Sequence, residues 1–303
     1  MIHRFRYSLR WLRRLLALWR SPNRRFLAYP PGHFASPLPD HDALERDHPR
    51  LIAADSLPGL DLRVAEQLEL LRSITEPAKR ISFPAEPVDG FRYHFENDFF
   101  TYGDALVLAG MLQHLRPRRV VEVGSGFSSA LMLDLRDRTD WKPELTFIEP
   151  YPTRLRSLLK PSDDATLIES PVQAVPLSVF EALEANDVLF IDSSHVSKIG
   201  SDVNFLIFEV FPRLRPGVVL HMHDIFWPFE YPKVWYDRGW AWNEAYLVRA
   251  LLQGSDRYRI RLFPSYLEAR HRDELERLLP LALRRARTTP ATGMSSIWLS
   301  VTG

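Results

Sequence analysis

Three observations predict an α/β protein built on a doubly wound, seven-stranded sheet, mostly parallel, with an antiparallel hairpin at one edge and an N-terminal helical extension. First, five short apolar runs have the uninterrupted character of strands buried on both faces: RVVEVG (119–124), LTFIE (145–149), ATLIE (165–169), DVLFID (187–192) and GVVLHMH (217–223). Second, helical stretches such as 178–183 and 203–214 separate most of them, the rhythm of parallel βαβ units. Third, YRIRLF (258–263) and SSIWLSV (295–301) flank a helical segment, SYLEARHRDELERLL, and close the chain as an antiparallel edge pair. Folds of this class bind ligands at the carboxyl ends of their strands.

In chain order, residues 1–25 hold eight arginines and no acid. Phe5, Leu9, Leu12, Leu16 and Trp19 recur there at spacings of four and three, one face of a helix ended by Ser21-Pro22. The longest apolar run, Leu15 to Trp19, is five residues. A signal peptide needs roughly 7–15 and a membrane span about 20. Two readings stay open: an amphipathic helix on an anionic membrane surface or in a partner's groove, and a helix packed on its own protein. A mitochondrial-type transit peptide is a third. Residues 26–95 read as a proline-rich arm with short helices, among them LDLRVAEQLELLRSI (60–74). The compact domain is expected over 96–303. Asp104 is placed to cap a helix, ALVLAGMLQHL, that stops before Arg116-Pro117.

Composition narrows the function. The chain is 46% hydrophobic and 25% charged, an ordinary soluble mixture rather than a disordered or membrane-embedded one. It has no cysteine, which excludes a disulfide framework, a thiolate zinc site and a cysteine nucleophile, while leaving the redox compartment open. The net charge of +1 hides an asymmetry, because the eight tail arginines leave −7 on the remainder. An acidic body is a poor partner for nucleic acid. The expected location is the cytoplasm, at a membrane surface if the tail is an anchor.

The first strand end carries a ligand loop. Glu122-Val123-Gly124-Ser125-Gly126-Phe127-Ser128-Ser129 leaves the strand and opens a helix. Glycines there permit a tight turn and close approach to a ligand, at a helix end that favours electronegative groups. Glu149 ends the next strand, 23 residues after Gly126, where an acid can accept bonds from two ribose hydroxyls. Such a loop suits a dinucleotide or S-adenosylmethionine. The dinucleotide pattern G-x-G-x-x-G is broken, and Glu122 would add negative charge beside a pyrophosphate. The same carboxylate suits the ammonium and sulfonium of S-adenosylmethionine.

VVEVGSGFSSALML, FIEP and VLFIDSSH resemble successive motifs of the class I S-adenosylmethionine-dependent methyltransferases, over about residues 97–301. The resemblance implies a Rossmann-like fold, with Glu122, Gly124 and Gly126 at the methionine part of the cofactor and Glu149 at the ribose. It also implies ESPVQ (169–173), ending at Gln173, near the adenine, and Asn97 to Asp104 over the cofactor. Ser128 stands where the family's loop has its third glycine.

Asp192-Ser193-Ser194-His195 ends the fourth strand and His221-Met222-His223-Asp224 the fifth. Parallel neighbours lie about 4.8 Å apart, so the two ends can converge. Methyl transfer to a hydroxyl needs alignment, and a base or a cation that lowers the hydroxyl pKa. Two carboxylates with imidazole suit Mg²⁺ or Mn²⁺. The pattern also resembles that of metal-dependent sugar O-methyltransferases, which implies Asp192 and Asp224 as ligands and His195 as general base. Where that group has a glutamate this chain has His223, which can also ligate but removes a negative charge. His195 also reads as a hydrogen-bonded helix-start histidine, and His221 as a satisfied sheet histidine rather than a ligand.

Nine aromatics fall between Phe226 and Tyr246, with Pro228 and Pro232 marking a non-helical lid. They suit sugar or phenolic acceptors, or equally a hydrophobic plug. Glu230, Asn243 and Glu244 are candidate contacts for acceptor hydroxyls. The expected activity is O-methylation of a small polar acceptor, a sugar hydroxyl first, a phenol or lipid-linked glycan next. A non-catalytic cofactor-binding module tethered by the tail and a nicotinamide-dependent oxidoreductase are the alternatives.

Overall fold

The computed structural model describes residues 17, 21, 22, 28–288 and 292–303. Nearly all of the expected tail helix of residues 1–25 lies outside the described residues. Two compact units are formed, residues 1–53 and 54–303.

In the first unit, the described chain turns at Pro30–Ser36 and then forms helix α1 (His41–Leu51). Asp40 caps it, its Oδ1 accepting from Ala43 N at 2.8 Å. It is one of the short helices of the proline-rich segment, with Pro49 in its last turn.

In the second unit the elements follow as α2 (Val64–Lys79), α3 (Tyr102–Leu115), β1 (Arg119–Val123), α4 (Phe127–Arg138), β2 (Glu144–Ile148), α5 (Thr153–Leu158) and β3 (Thr166–Ile168). They continue through α6 (Ser178–Glu181), β4 (Val188–Ile191), α7 (Asp202–Phe205), β5 (Val219–His223), α8 (Lys233–Asp237) and α9 (Glu244–Gly254). β6 (Tyr258–Leu262), α10 (Pro264–Arg270), α11 (Arg272–Leu278) and β7 (Ser296–Val301) complete it. The seven strands are ordered β3-β2-β1-β4-β5-β7-β6. β7 runs antiparallel to both β5 and β6. This is the Rossmann-like sheet that the strand texture predicts. β1 and β4 expose no apolar side chain, consistent with helices on both faces.

The compact domain is expected over 96–303, and the contacts of the structure group residues 54–303 as one unit. Residues 54–95 join the core because α2 buries Leu71, Ile74 and Ala78. Gly110 of α3 lets the two helices close: a Cβ there would lie 2.8 Å from the Ile74 carbonyl oxygen. Gln67, fully buried, accepts from Phe263 N at 2.7 Å and so ties α2 to the end of β6.

Asp104 does not cap α3. The helix starts at Tyr102, and the buried carboxylate accepts from Ser295 N (3.1 Å), Ser295 Oγ (3.2 Å) and Ser296 Oγ (2.9 Å) at the start of β7. The helical stretch after β5 is another difference, since α8 occupies part of the expected non-helical lid.

A buried ion cluster fixes the segment before α3. Arg92 Nη1 bonds Asp134 (2.8 Å) and Asp137 (2.7 Å), its Nε bonds Asp163 (3.0 Å), and Asp134 also accepts from the backbone N–H of Arg92 and Tyr93. Asp134 and Asp163 are buried. Removing one partner of such a cluster strands the other charges without water. Arg92→Met is expected to lose about 3–5 kcal/mol of stability in urea unfolding.

Candidate active site

The sheet order reverses between β1 and β4, which opens a crevice at their carboxyl ends. Gly124 leaves β1 with φ +83, and a Cβ there would lie 1.8 Å from the carbonyl oxygen of Asp192. Only glycine permits that contact, which brings the loop after β1 against the end of β4. Gly126 is extended, and its N–H donates to Ser129 Oγ at 3.0 Å.

Glu122 is fully buried beneath the loop, and both its oxygens accept from the hydroxyls of Ser128 and Ser129. It thus ties β1 to the first turn of α4. Burial pushes its pKa up to about 8 against those two hydroxyl bonds, and Asp192 and Glu149 add to the rise.

Two neighbouring chambers occupy the crevice. The larger, about 520 Å³, is lined by Ile148, Glu149, Pro150, Val172, Gln173 and Lys198 among others. The inner one, about 240 Å³, is lined by Phe99, Gly126, Arg154, His195, Asp224 and Trp242 among others. Gly124, Glu149, Asp192 and Ser193 wall both. Glu149 accepts from Ser125 N (3.1 Å) and Tyr151 N (2.9 Å), with lone pairs to spare for a ligand. Gln173 donates to the Gly200 carbonyl at 2.9 Å. Surface concavities of about 590 and 620 Å³ lie at the β6 edge and near the amino ends of β2 and β3. Neither is at the strand ends where this fold class does its chemistry.

In the inner chamber, His195 Nε2 lies 3.3 Å from Asp192 and 3.5 Å from Asp224, while its Nδ1 lies 2.9 Å from Glu244. Burial pushes this imidazole down, but the bonds to Asp192 and Glu244 and the charges of Asp224 and Glu244 outweigh it and hold the pKa well above the usual value. For Asp192, burial pushes up, but His223 and His195 prevail and hold it low. Burial raises Asp224 despite both histidines. His195 (φ +59) and Asp224 (φ +56) both adopt the left-handed conformation, a strain that side chains of this kind carry where a site holds them in place. The backbone N–H groups of Asn243 (3.1 Å) and Glu244 (3.2 Å) donate to the His195 carbonyl and hold that turn.

One ligand atom each of Asp192, His223 and Asp224 lie within 4.8 Å of one another. His223 Nδ1 is buried without a hydrogen-bond partner among the described residues. A divalent cation fits this set of two carboxylates and one imidazole. His221 is not satisfied: both ring nitrogens lack partners among the described residues, and its ring packs on Phe190 at 3.9 Å. Burial drives its pKa well down, so it is neutral.

The structure thus brings together Asp192, His195, His223 and Asp224, with Gly124 and Glu149 on the shared wall and Gln173 in the larger chamber. Glu122 lines neither chamber, and the hydroxyl of Ser128 turns away to Glu122. Asn97 folds the turn before α3, bonding the carbonyls of His94 (2.6 Å) and Phe100 (2.8 Å), while Phe99 and Phe100 form the wall. The aromatic insertion divides. Phe226, Trp227, Phe229, Tyr231 and Trp235 are buried as a plug, whereas Trp242 faces the inner chamber 4.5 Å from the His195 ring. Glu244 is buried behind His195, and Asn243 bonds the backbone of Ser197. No spacing signals the His195–Glu244 pair, which are 49 residues apart.

The family of methyltransferase domains matches residues 121–225, from β1 to just beyond β5. An uncharacterised protein of Archaeoglobus fulgidus is 37% identical over 165 residues, 52% of this chain and 75% of that protein. Residues 121–225 thus carry a methyltransferase domain, and the chain is similar to S-adenosylmethionine-dependent methyltransferases. Among solved structures, an SAH-bound methyltransferase of Podospora anserina is 17% identical, with 87% of this chain and 97% of that one covered and a TM-score of 0.39. An O-methyltransferase of Bacillus cereus in complex with SAH is 14% identical, with 86% and 97% covered and a TM-score of 0.33.

Glu122 makes folding pH-dependent. Its folded pKa of about 8 exceeds the ordinary 4.5, so its contribution is intact below the ordinary value and lost as pH rises through 8. In thermal melts of the apo protein, Glu122→Gln is expected to remove at least about half of the fall in Tm between pH 5 and 8. Gly124→Ala, with its Cβ inside the Asp192 carbonyl, is expected to weaken S-adenosylmethionine binding at least about tenfold by calorimetry, the cost of prising β1 from β4.

Proposed function

We propose that this enzyme transfers a methyl group from S-adenosylmethionine to an oxygen of a small polar acceptor, with a sugar or phenolic hydroxyl as the favoured class. The carrying observation is the meeting of His195 with Asp192 and Asp224 at 3.3 and 3.5 Å, beside the chamber that suits the cofactor. When bound, S-adenosylmethionine supplies an electrophilic methyl group, and a divalent cation lowers the pKa of the acceptor hydroxyl. Glu149 would hold the ribose and Gln173 would lie by the adenine. The loop from Gly124 to Ser128 would receive the methionine part, with Glu122 acting from beneath it.

Asp192, His223 and Asp224 would hold the cation. His195 would take the hydroxyl proton at Nε2, and Glu244, bonded to Nδ1 at 2.9 Å, would fix the ring and balance the charge it gains. With three carboxylates around it, His195 keeps a proton on both nitrogens, and an imidazolium accepts none. A cation held by Asp192 and Asp224 would offset part of the charge that favours the second proton, and His195 would then be able to act as a base. The metal and the base therefore belong to one reading. A passive cofactor-binding module has no use for this buried acid–imidazole–acid row.

His195→Ala is expected to keep S-adenosylmethionine affinity within about threefold while methyl transfer falls about 10²–10⁴-fold. A fully active variant would remove His195 from the reaction. In calorimetry with Mn²⁺, the native protein is expected to bind one ion, and Asp224→Asn to bind it at least about tenfold more weakly; equal affinity in the two proteins would remove the metal.

A further inference from the structure

Eight large apolar side chains are exposed among the described residues of the second unit, and four of them border the active-site crevice. Tyr151 (85% exposed) and Phe99 (52%) line it, Ile199 (98%) sits between its lining residues Lys198 and Gly200, and Trp240 (37%) stacks on Trp242. Exposed apolar side chains that border a site are where a docking surface is sought.

Cations accompany them. The Arg154 guanidinium lies 3.4 Å from the centre of the Phe99 ring, and that of Arg238 lies 5.4 Å from the centre of the Trp240 ring. Lys198 lines the larger chamber. None of these three has a carboxylate partner among the described residues, whereas Arg72, Arg92, Arg119 and Arg213 all do. An aromatic ring with a guanidinium on its face suits the headgroup layer of a bilayer, where the ring meets acyl chains and the cation meets phosphate. The same pairing recurs in the sequence of residues 1–25, with eight arginines, two tryptophans and no acid. No helix of the described residues is long and apolar enough to cross a membrane, so attachment would be to the surface.

We propose that the mouth of the crevice docks on an anionic lipid bilayer, so that the inner chamber receives hydroxyl-bearing molecules held in that surface. This rests on the methyltransferase reading of the crevice and adds where its acceptor is found.

The test is co-sedimentation of the full chain with vesicles of phosphatidylcholine alone and of phosphatidylcholine with a third phosphatidylglycerol. Binding to the anionic vesicles is expected to be at least about tenfold tighter and to weaken in 0.5 M salt. Arg238→Gln is expected to cost about fivefold, and adding Ile199→Ser to cost several-fold more. Arg13→Gln with Arg14→Gln measures the share of the tail. Equal binding to both vesicles, no binding, or a loss confined to the tail variants would overturn docking through the mouth. Calorimetry with S-adenosylmethionine on the same preparations separates the two readings: absent cofactor binding would overturn the enzyme assignment, while the vesicle result would stand by itself.

Discussion

The contact between Gly124 and the carbonyl of Asp192 sets the geometry of everything at the strand ends. β1 and β4 are hydrogen-bonded neighbours, and Asp192 N still donates to Val123 O at 2.8 Å as both strands finish. A side chain at Gly124 would force the loop away from β4. Without one, the loop after β1 and Asp192 share a single wall. The proposed reaction would need that wall, because the loop proposed to receive the methyl donor and the acids proposed to prepare the acceptor come from different βα units. Alignment is a large part of the barrier, and here the backbone supplies it.

Much of this was legible in the residues. Seven strands could be read from apolar runs because a sheet covered on both faces leaves no alternation to blur them. The strand ends followed from the fold class, and Asp192, His195, His223 and Asp224 from the ends. What escaped was decided by contacts distant in sequence. Asp104 has the composition of a cap, yet its carboxylate serves Ser295 and Ser296 almost two hundred positions away. Glu244 carries the same formal charge as Glu230 and lies near it in the chain, but one is buried on His195 while the other bonds Tyr246 at 2.9 Å. Nothing local separates them. Within the aromatic insertion, likewise, composition could not tell plug from platform, because that depends on which rings the sheet edge covers.

The charges explain how an acidic centre survives burial. His195 is surrounded by three carboxylates and His223 by Asp224, Asp192 and Asp104, so neither acid nor imidazole is buried alone. Positive charge on a bound cation or on a sulfonium would be met by the same carboxylates. Affinity for positive ligands is thus built into the arrangement before any specific contact is counted. Positive charge at the rim has a different task, facing outward from a body whose centre is acidic.

The Arg92 cluster has a consequence for traffic through the enzyme. It fastens the backbone of Arg92 and Tyr93 to Asp134, and the Tyr93 hydroxyl in turn bonds the Phe100 carbonyl at 2.9 Å. The wall formed by Phe99 and Phe100 therefore hangs from an ionic anchor and does not swing as a door.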